Sequence, residues 1–346
     1  MKAMIMAAGV GSRLMPLTID IPKPMIPMVN QPLMEITLNL LHEHGFREII
    51  ANLHYQKQVI SEHFCDGQNF GMQLGYSPED ELLGTAGGVK NCEWFLDDCF
   101  VVVSGDALTD ADITYLWAQH KKNGALATIA LKEVEEVEQF GVVVTDDRGK
   151  IEQFQEKPKQ GEALSHLANT GIYIFEPEIF KYIPPRQFYD FGKQVFPELV
   201  RIGAPFFGVP IDNYWCDVGD LETYRQAHAD ILQGKLKANC QPILCNNGKG
   251  RIVVGEAAQI ADDVHFEGNV VIGNNCSIEA GAFICDSVIW DNSIVETKSR
   301  LTKCIVGRNC KIGRSVTVNP KTVIASGCEI VDKTNTAPGQ KINSVR

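Results

Sequence analysis

With 346 residues, a net charge of −11 and a pI near 5.3, the chain can bury two cores and lacks the basic face that binding a nucleic-acid backbone or an anionic membrane requires. No apolar run approaches bilayer length, and the first one meets Arg13 too early for a secretory signal. The eleven cysteines form no C-x-x-C pair and have no histidine cluster beside them, so they read as free thiols of a cytoplasmic protein rather than zinc ligands or a disulfide framework.

From Met1 to about Gln233, short β-rich apolar runs alternate with helical patterns. The expected strands are "KAMIMAA", "REIIANL", "FVVVSGD", "ALATIAL", "GVVVTDD", "TGIYIFE" and "NYWCDV". The expected helices include "LMEITLNLLHEH", "QVISEHF", "AGGVKNCEWFL" and "LETYRQAHADIL". This alternation predicts an α/β, Rossmann-like domain with a mostly parallel mixed sheet, in which ligands bind beyond the carboxyl ends of the strands.

After residue 250 the period changes to six, through Val254, Ile260, Phe266, Ile272, Ile278 and Ile284. Five-residue steps follow at Ile284 to Ile289 and at Leu301 to Val306, and the spacing of six resumes to Ile330. A compact residue sits two positions ahead of most of these, as at Ala258, Val264, Cys276, Cys304, Cys310 and Cys328. A hexapeptide period of this kind predicts a left-handed parallel β-helix whose coils bury an aliphatic edge, with cysteines as core filler. The expected boundaries are 1–235 for the α/β domain, 236–250 for a linker, 251–335 for the β-helix and 336–346 for a tail.

The stretch "AAGVGSRLMPLTIDIPKPM" follows the first strand. Its Gly9 and Gly11 match neither the dinucleotide fingerprint, since Leu14 replaces the third glycine, nor a Walker A loop. Glycines after a strand let backbone N–H groups approach an anion, although a simple tight turn needs the same residues. Arg13 adds a charged fork suited to phosphate, and Pro22 and Pro24 stiffen the chain around Lys23. Asp106 and Asp217 each end a predicted strand, and as a pair they offer hard oxygens for Mg²⁺. Asp110, Asp112 and Asp220 read as helix-start carboxylates.

"GVGSRLMPLTIDIPKPMIPM" resembles the signature of the sugar-1-phosphate nucleotidylyltransferases, and matches continue in order through "LLGTAGGVK", "VVVSGDALTD", "FQEKP", "NTGIYIFEPEIF" and "YWCDVGDLETY". The β-helical tail extends the likeness over nearly the whole chain, most closely to the mannose-1-phosphate guanylyltransferase group. The resemblance implies attack of a sugar-1-phosphate oxygen on the α-phosphorus of a nucleoside triphosphate, with pyrophosphate leaving. It assigns Arg13 and Lys23 to the reacting phosphates and Asp106 and Asp217 to Mg²⁺. It assigns Ala8, Gly9, Gly11, Gly84, Thr85 and Glu81 to the nucleotide, with Glu79 a second candidate for reading guanine. Gly141, Glu156, Lys157, Asn169 and Gly171 are assigned to the sugar phosphate. The substrates implied are GTP and mannose-1-phosphate, with UTP or dTTP and glucose-1-phosphate as alternatives, and the tail is expected to join a homo-oligomer. Threonine is common at position 220 among such proteins, so Asp220 either caps its helix or alters metal or phosphate affinity, and capping is the simpler reading. Two other classes fit less: a non-catalytic nucleotide-sugar sensor, and an acyltransferase for which the tail offers only His265 as a base.

Overall fold

The structure is a computed structural model that describes residues 1–236, 243–244 and 250–343. The expected linker at 236–250 lies almost wholly outside the described residues, apart from the two-residue strand Ile243–Leu244. By contacts the chain forms two compact units: Met1–Val10 with Met34–Asp217, and Gly11–Leu33 with Val218–Arg346. The segment carrying Arg13 and Lys23 is thus grouped with the C-terminal repeats, a division the sequence boundaries do not anticipate.

The first unit is built on a nine-stranded sheet. Its centre is a parallel block in which Lys2–Met6 lies between Glu48–Leu53 and Phe100–Ser104, with Gln73–Pro78 outside Glu48–Leu53. Helices α1 (Leu33–Glu43), α2 (Lys57–Phe64) and α3 (Gly84–Asn91) follow successive strands, the crossovers that parallel pairing requires. Register pairs Met6 with both Asn52 and Ser104, so these strands end level. Leu167–Phe175 then runs antiparallel to Phe100–Ser104, with Ile172 opposite Val103. Its early residues Asn169 and Gly171 therefore lie beside the carboxyl end of the central strands. Ala127–Glu133 continues the sheet antiparallel to Leu167–Phe175, and Phe206–Pro210 pairs with it in parallel. The sequence expectation lacked Gln73–Pro78 and Phe206–Pro210, whose glycines at 75 and 208 dilute the apolar signal.

Met4, Ile50, Val102 and Phe175 form the core of this unit with a row of stacked aromatic rings. Phe175, Phe191, Phe196 and Phe206 are spaced 5.1 to 5.3 Å between successive ring centroids. Burial of aromatic rings of this size stabilises a core by kilocalories per ring. Here it also anchors the turn that begins at Asp190.

In the second unit, residues 250–342 form short strands in parallel ladders. The rungs repeat at 18 residues where three hexapeptides make a coil, as in Ile260 opposite Ile278 and Phe266 opposite Ile284. They repeat at 17 where a five-residue step intervenes, as in Ile272 opposite Ile289 and Val295 opposite Ile312. The periodic aliphatics from Ile272 to Ile324 are all buried, with Cys276, Cys304, Cys310 and Cys328 packed among them. Val254 departs from the expected pattern: it is exposed, and Ile252 takes the core position in the first coil. The ladder also continues to Lys341–Ile342, opposite Val323 and Ile324, so the region expected as a tail contributes a strand. The nine described cysteines are free thiols, and among the described residues no helix is long and apolar enough to cross a membrane.

Candidate active site

The level carboxyl ends of the parallel strands are tied together by one buried amide. Ala7 N–H donates to Asn52 Oδ1 at 2.9 Å, and Asn52 Nδ2 donates to Glu79 Oε1 at 2.7 Å. Glu79 Oε2 accepts from Leu83 N at 3.0 Å, just ahead of α3. Asn52 and Glu79 are both buried, where polar groups need the hydrogen-bond partners that each supplies to the other. Glu79 thus has an internal use, bracing the loop before α3, which differs from the base-reading part the sequence suggested. Glu81 is exposed.

Beside this network lies a pocket of about 230 Å³ lined by Ala8, Gly9, Glu79, Gly84, Thr85 and Asp106, six of the residues singled out from sequence, and by Asp190. Gly84 has φ +73°, and a Cβ there would come within 2.6 Å of the Tyr189 carbonyl, so only glycine fits. The same carbonyl accepts from the amides of Ala86 and Gly87, both at 3.0 Å. Thr85 Oγ1 donates to Asp190 Oδ2 at 3.0 Å and accepts from Phe191 N. Asp190 in turn caps the turn Phe191–Val195 by accepting from Lys193 N.

Asp106 follows Phe100–Ser104 and accepts from the Ser104 hydroxyl. The strand Trp215–Asp217 pairs antiparallel with Ala107–Thr109, placing Asp217 opposite Ala107 and so next to Asp106 in register. Both carboxylates are half-buried. Two hard oxygen donors at strand ends, open enough to share a cation with phosphate and water, fit a small divalent ion. Asp110 departs from the helix-start reading: its carboxylate accepts from Tyr214 N at 2.8 Å, stapling the second aspartate's strand to the first. Asp112 does cap α4 (Ile113–Lys122). At the other end of Phe100–Ser104, ligand atoms of Cys99, His120 and Glu176 also cluster. There the Lys121 ammonium already sits 2.5 Å from Glu176 Oε1 and neutralises the group.

The expected sugar-phosphate residues lie on the adjoining strands. Gly141 pairs directly with Glu156, and Asn169 accepts from Gly171 N while donating to the Tyr173 hydroxyl at 3.1 Å. The Glu156 carboxyl is held above its ordinary range by burial and then by the charge of Asp190, with Lys157 and Lys193 opposing. The Tyr173 hydroxyl is pushed up by burial, against the Asn169 bond, with the charges of Asp190, Glu156 and Asp106 adding to the rise. Lys157 is exposed, with φ +45°. Asn52 and Asp190 escaped the sequence reading, although a polar residue ending the apolar run "REIIANL" is a usable signal for the first.

In the second unit, Gly11 has φ +69°, and a Cβ there would lie 2.8 Å from Lys23 Cβ. Glycine is needed both for the backbone and for the lysine stem lying against it. Lys23 is buried and opens a 3₁₀ turn, Lys23–Met25, so the prolines confine the chain to a tight turn rather than excluding helix. Arg13 is exposed in the turn Ser12–Leu14. Asp220 caps α5 (Leu221–Leu232) by accepting from Thr223 N at 2.8 Å. Burial pushes its carboxyl up, but the bonds from Thr223 and Glu222 and the charge of Arg13 outweigh that and hold it below the ordinary range. Capping is therefore its structural use, and it also acts on the arginine.

Residues 2–234 match the family described as Nucleotidyl transferase, about two thirds of the chain. The chain belongs to the sugar-1-phosphate nucleotidyltransferase family. Residues 248–338 match the GMPPB C-terminal domain. A UTP–glucose-1-phosphate uridylyltransferase of Synechocystis is 42% identical, covering 92% of this chain and 91% of that protein. A mannose-1-phosphate guanylyltransferase of Mycobacterium tuberculosis is 31% identical, covering 85% of this chain and 81% of that protein. A solved Bacillus anthracis structure, given as a glucose-1-phosphate thymidylyltransferase in complex with a sucrose, is 26% identical, with a TM-score of 0.59, over 66% of this chain and 94% of that one.

Proposed function

We propose that this nucleotidyltransferase moves a uridylyl group from UTP to glucose-1-phosphate, releasing pyrophosphate. The observation that carries the choice of substrates is the 42% identity to a uridylyltransferase over nine tenths of both chains.

In this reading the sugar phosphate is held by Gly141, Glu156, Lys157, Asn169 and Gly171, with one oxygen aimed at the α-phosphorus. Ala8, Gly9, Gly11, Gly84, Thr85 and Glu81 hold the nucleotide. Arg13 and Lys23 stabilise the charge that builds on the leaving pyrophosphate, where preorganised cations act most strongly. Asp106 and Asp217 hold Mg²⁺, which when bound neutralises phosphate charge. The rungs at 17 and 18 residues support a left-handed β-helix for the C-terminal repeats, whose exposed coil faces suit self-association.

A second reading, GTP with mannose-1-phosphate, is favoured by the match to the GMPPB C-terminal domain. Pyrophosphate release across a matrix of nucleoside triphosphates and sugar-1-phosphates separates the readings. The largest kcat/KM is expected for UTP with glucose-1-phosphate. A larger value for GTP with mannose-1-phosphate transfers the assignment to the second reading, and no release from any pair favours the sensor.

A further inference from the structure

The segment that carries Lys23 ends in a small hairpin, Pro27–Met28 paired with Gln31–Pro32, with Val29 and Asn30 at its tip in left-handed conformations. Three hydrogen bonds within the second unit hold this hairpin. The Tyr224 hydroxyl donates to the Pro27 carbonyl at 2.5 Å, Val29 N–H donates to His228 Nδ1 at 3.3 Å, and Asn30 Nδ2 donates to the Ile272 carbonyl at 2.8 Å. Tyr224 and His228 stand four residues apart on one face of α5, their rings edge to face at 4.6 Å.

Tyr224 is also tied to the repeats. The Trp290 indole Nε1 donates to its hydroxyl at 2.9 Å. An indole N–H can only donate, so the hydroxyl must accept there, and its proton is left for Pro27. Trp290 is buried, yet it stands outside the aliphatic core that the repeats share among themselves. From Pro27 the chain leads straight back to the lysine: Ile26 N–H closes on the Lys23 carbonyl at 3.2 Å, and Leu33 N–H on the Ile26 carbonyl at 3.1 Å.

We infer that Trp290 and Tyr224 are positioning residues for Lys23: the C-terminal repeats set the place of the catalytic lysine through a directed indole-to-hydroxyl-to-carbonyl chain. This rests on the assignment of Lys23 to the reacting phosphates. It gives the repeats a part in turnover that is separate from assembly. A displacement of even an ångström at a positioned charge lowers turnover far more than it lowers binding.

The test uses the full chain with Tyr224→Phe and Trp290→Phe, which keep ring and packing. Tyr224→Phe should lower kcat by about tenfold, with KM for both substrates changed by less than about twofold, and should lower the melting temperature because it leaves the indole N–H and the Pro27 carbonyl unpaired. Trp290→Phe, which spares the bond to Pro27, should have a smaller effect in the same direction. Hydrogen exchange at the amides of Ile26, Met28 and Val29 should accelerate in both variants. A folded Tyr224→Phe protein with wild-type kcat and wild-type protection at 26–29 overturns the inference. If the wild type transfers no nucleotidyl group, the functional reading fails instead, and the exchange data still decide whether Trp290 and Tyr224 fix this segment. Should Tyr224→Phe not fold, Trp290→Phe carries both readouts: unchanged kcat and protection overturn the inference, and a fall in both supports it.

Discussion

Asn52 donates to Glu79 across the ends of two neighbouring strands at 2.7 Å while accepting from the backbone of Ala7, so a single side chain fixes both the first loop and the approach to α3. Replacing Asn52 with leucine leaves a buried carboxylate oxygen and a backbone N–H unpaired. We expect a loss of about 2–3 kcal/mol in urea unfolding and a raised KM for the nucleotide. A stability within about 0.5 kcal/mol of wild type would mean that the network is not what holds these loops.

The paired carboxylates lead to a prediction about charge rather than packing. Asp106→Asn and Asp217→Asn preserve shape and should each lower kcat by roughly 10²- to 10³-fold, with melting temperature little changed. Calorimetric titration with Mg²⁺ should register weaker binding in both variants, and excess chelator should abolish wild-type turnover. Full turnover in chelator removes the metal assignment.

Much of this arrangement is legible in the sequence because its causes are local. The hexapeptide period survives as buried rungs since each coil repeats the same inward position, and the two five-residue steps reappear as 17-residue rungs. Asp106 is legible because a carboxylate directly follows an apolar strand. What escaped the reading depends on partners far along the chain: Asn52 meets Glu79 across 27 residues, Tyr224 meets Trp290 across 66, and Thr85 meets Asp190 across 105. Neither spacing nor composition encodes which distant group will accept a given hydrogen bond. The bond from Asn52 to Glu79 is hidden in sequence for the same reason, since the donating amide lies on another strand.

His228 should leave a pH signature in stability. Burial pushes its imidazole down to about 3 from an ordinary 6.5, with the Pro27 carbonyl opposing only in part. Below pH 6.5 the unfolded chain takes up a proton that the folded chain refuses. Stability therefore falls with pH through the window from 6.5 to about 3, by about 1.4 kcal/mol per pH unit. His228→Gln, which keeps an acceptor for the Val29 amide, should flatten this slope between pH 6 and 4.5, in the range of about one proton. Urea midpoints with the same pH slope in both proteins would contradict a buried neutral imidazole.

In the proposed reaction the nucleotidyl group, carrying the α-phosphorus, passes to the sugar phosphate. Parallel reactions with glucose-1-phosphate and UTP labelled at either the α- or the γ-phosphorus test it directly. The α label should appear in a nucleotide-sugar product and the γ label in pyrophosphate, with none as free phosphate. Transfer of the γ label to the sugar, or its release as inorganic phosphate without a nucleotide-sugar, would contradict it.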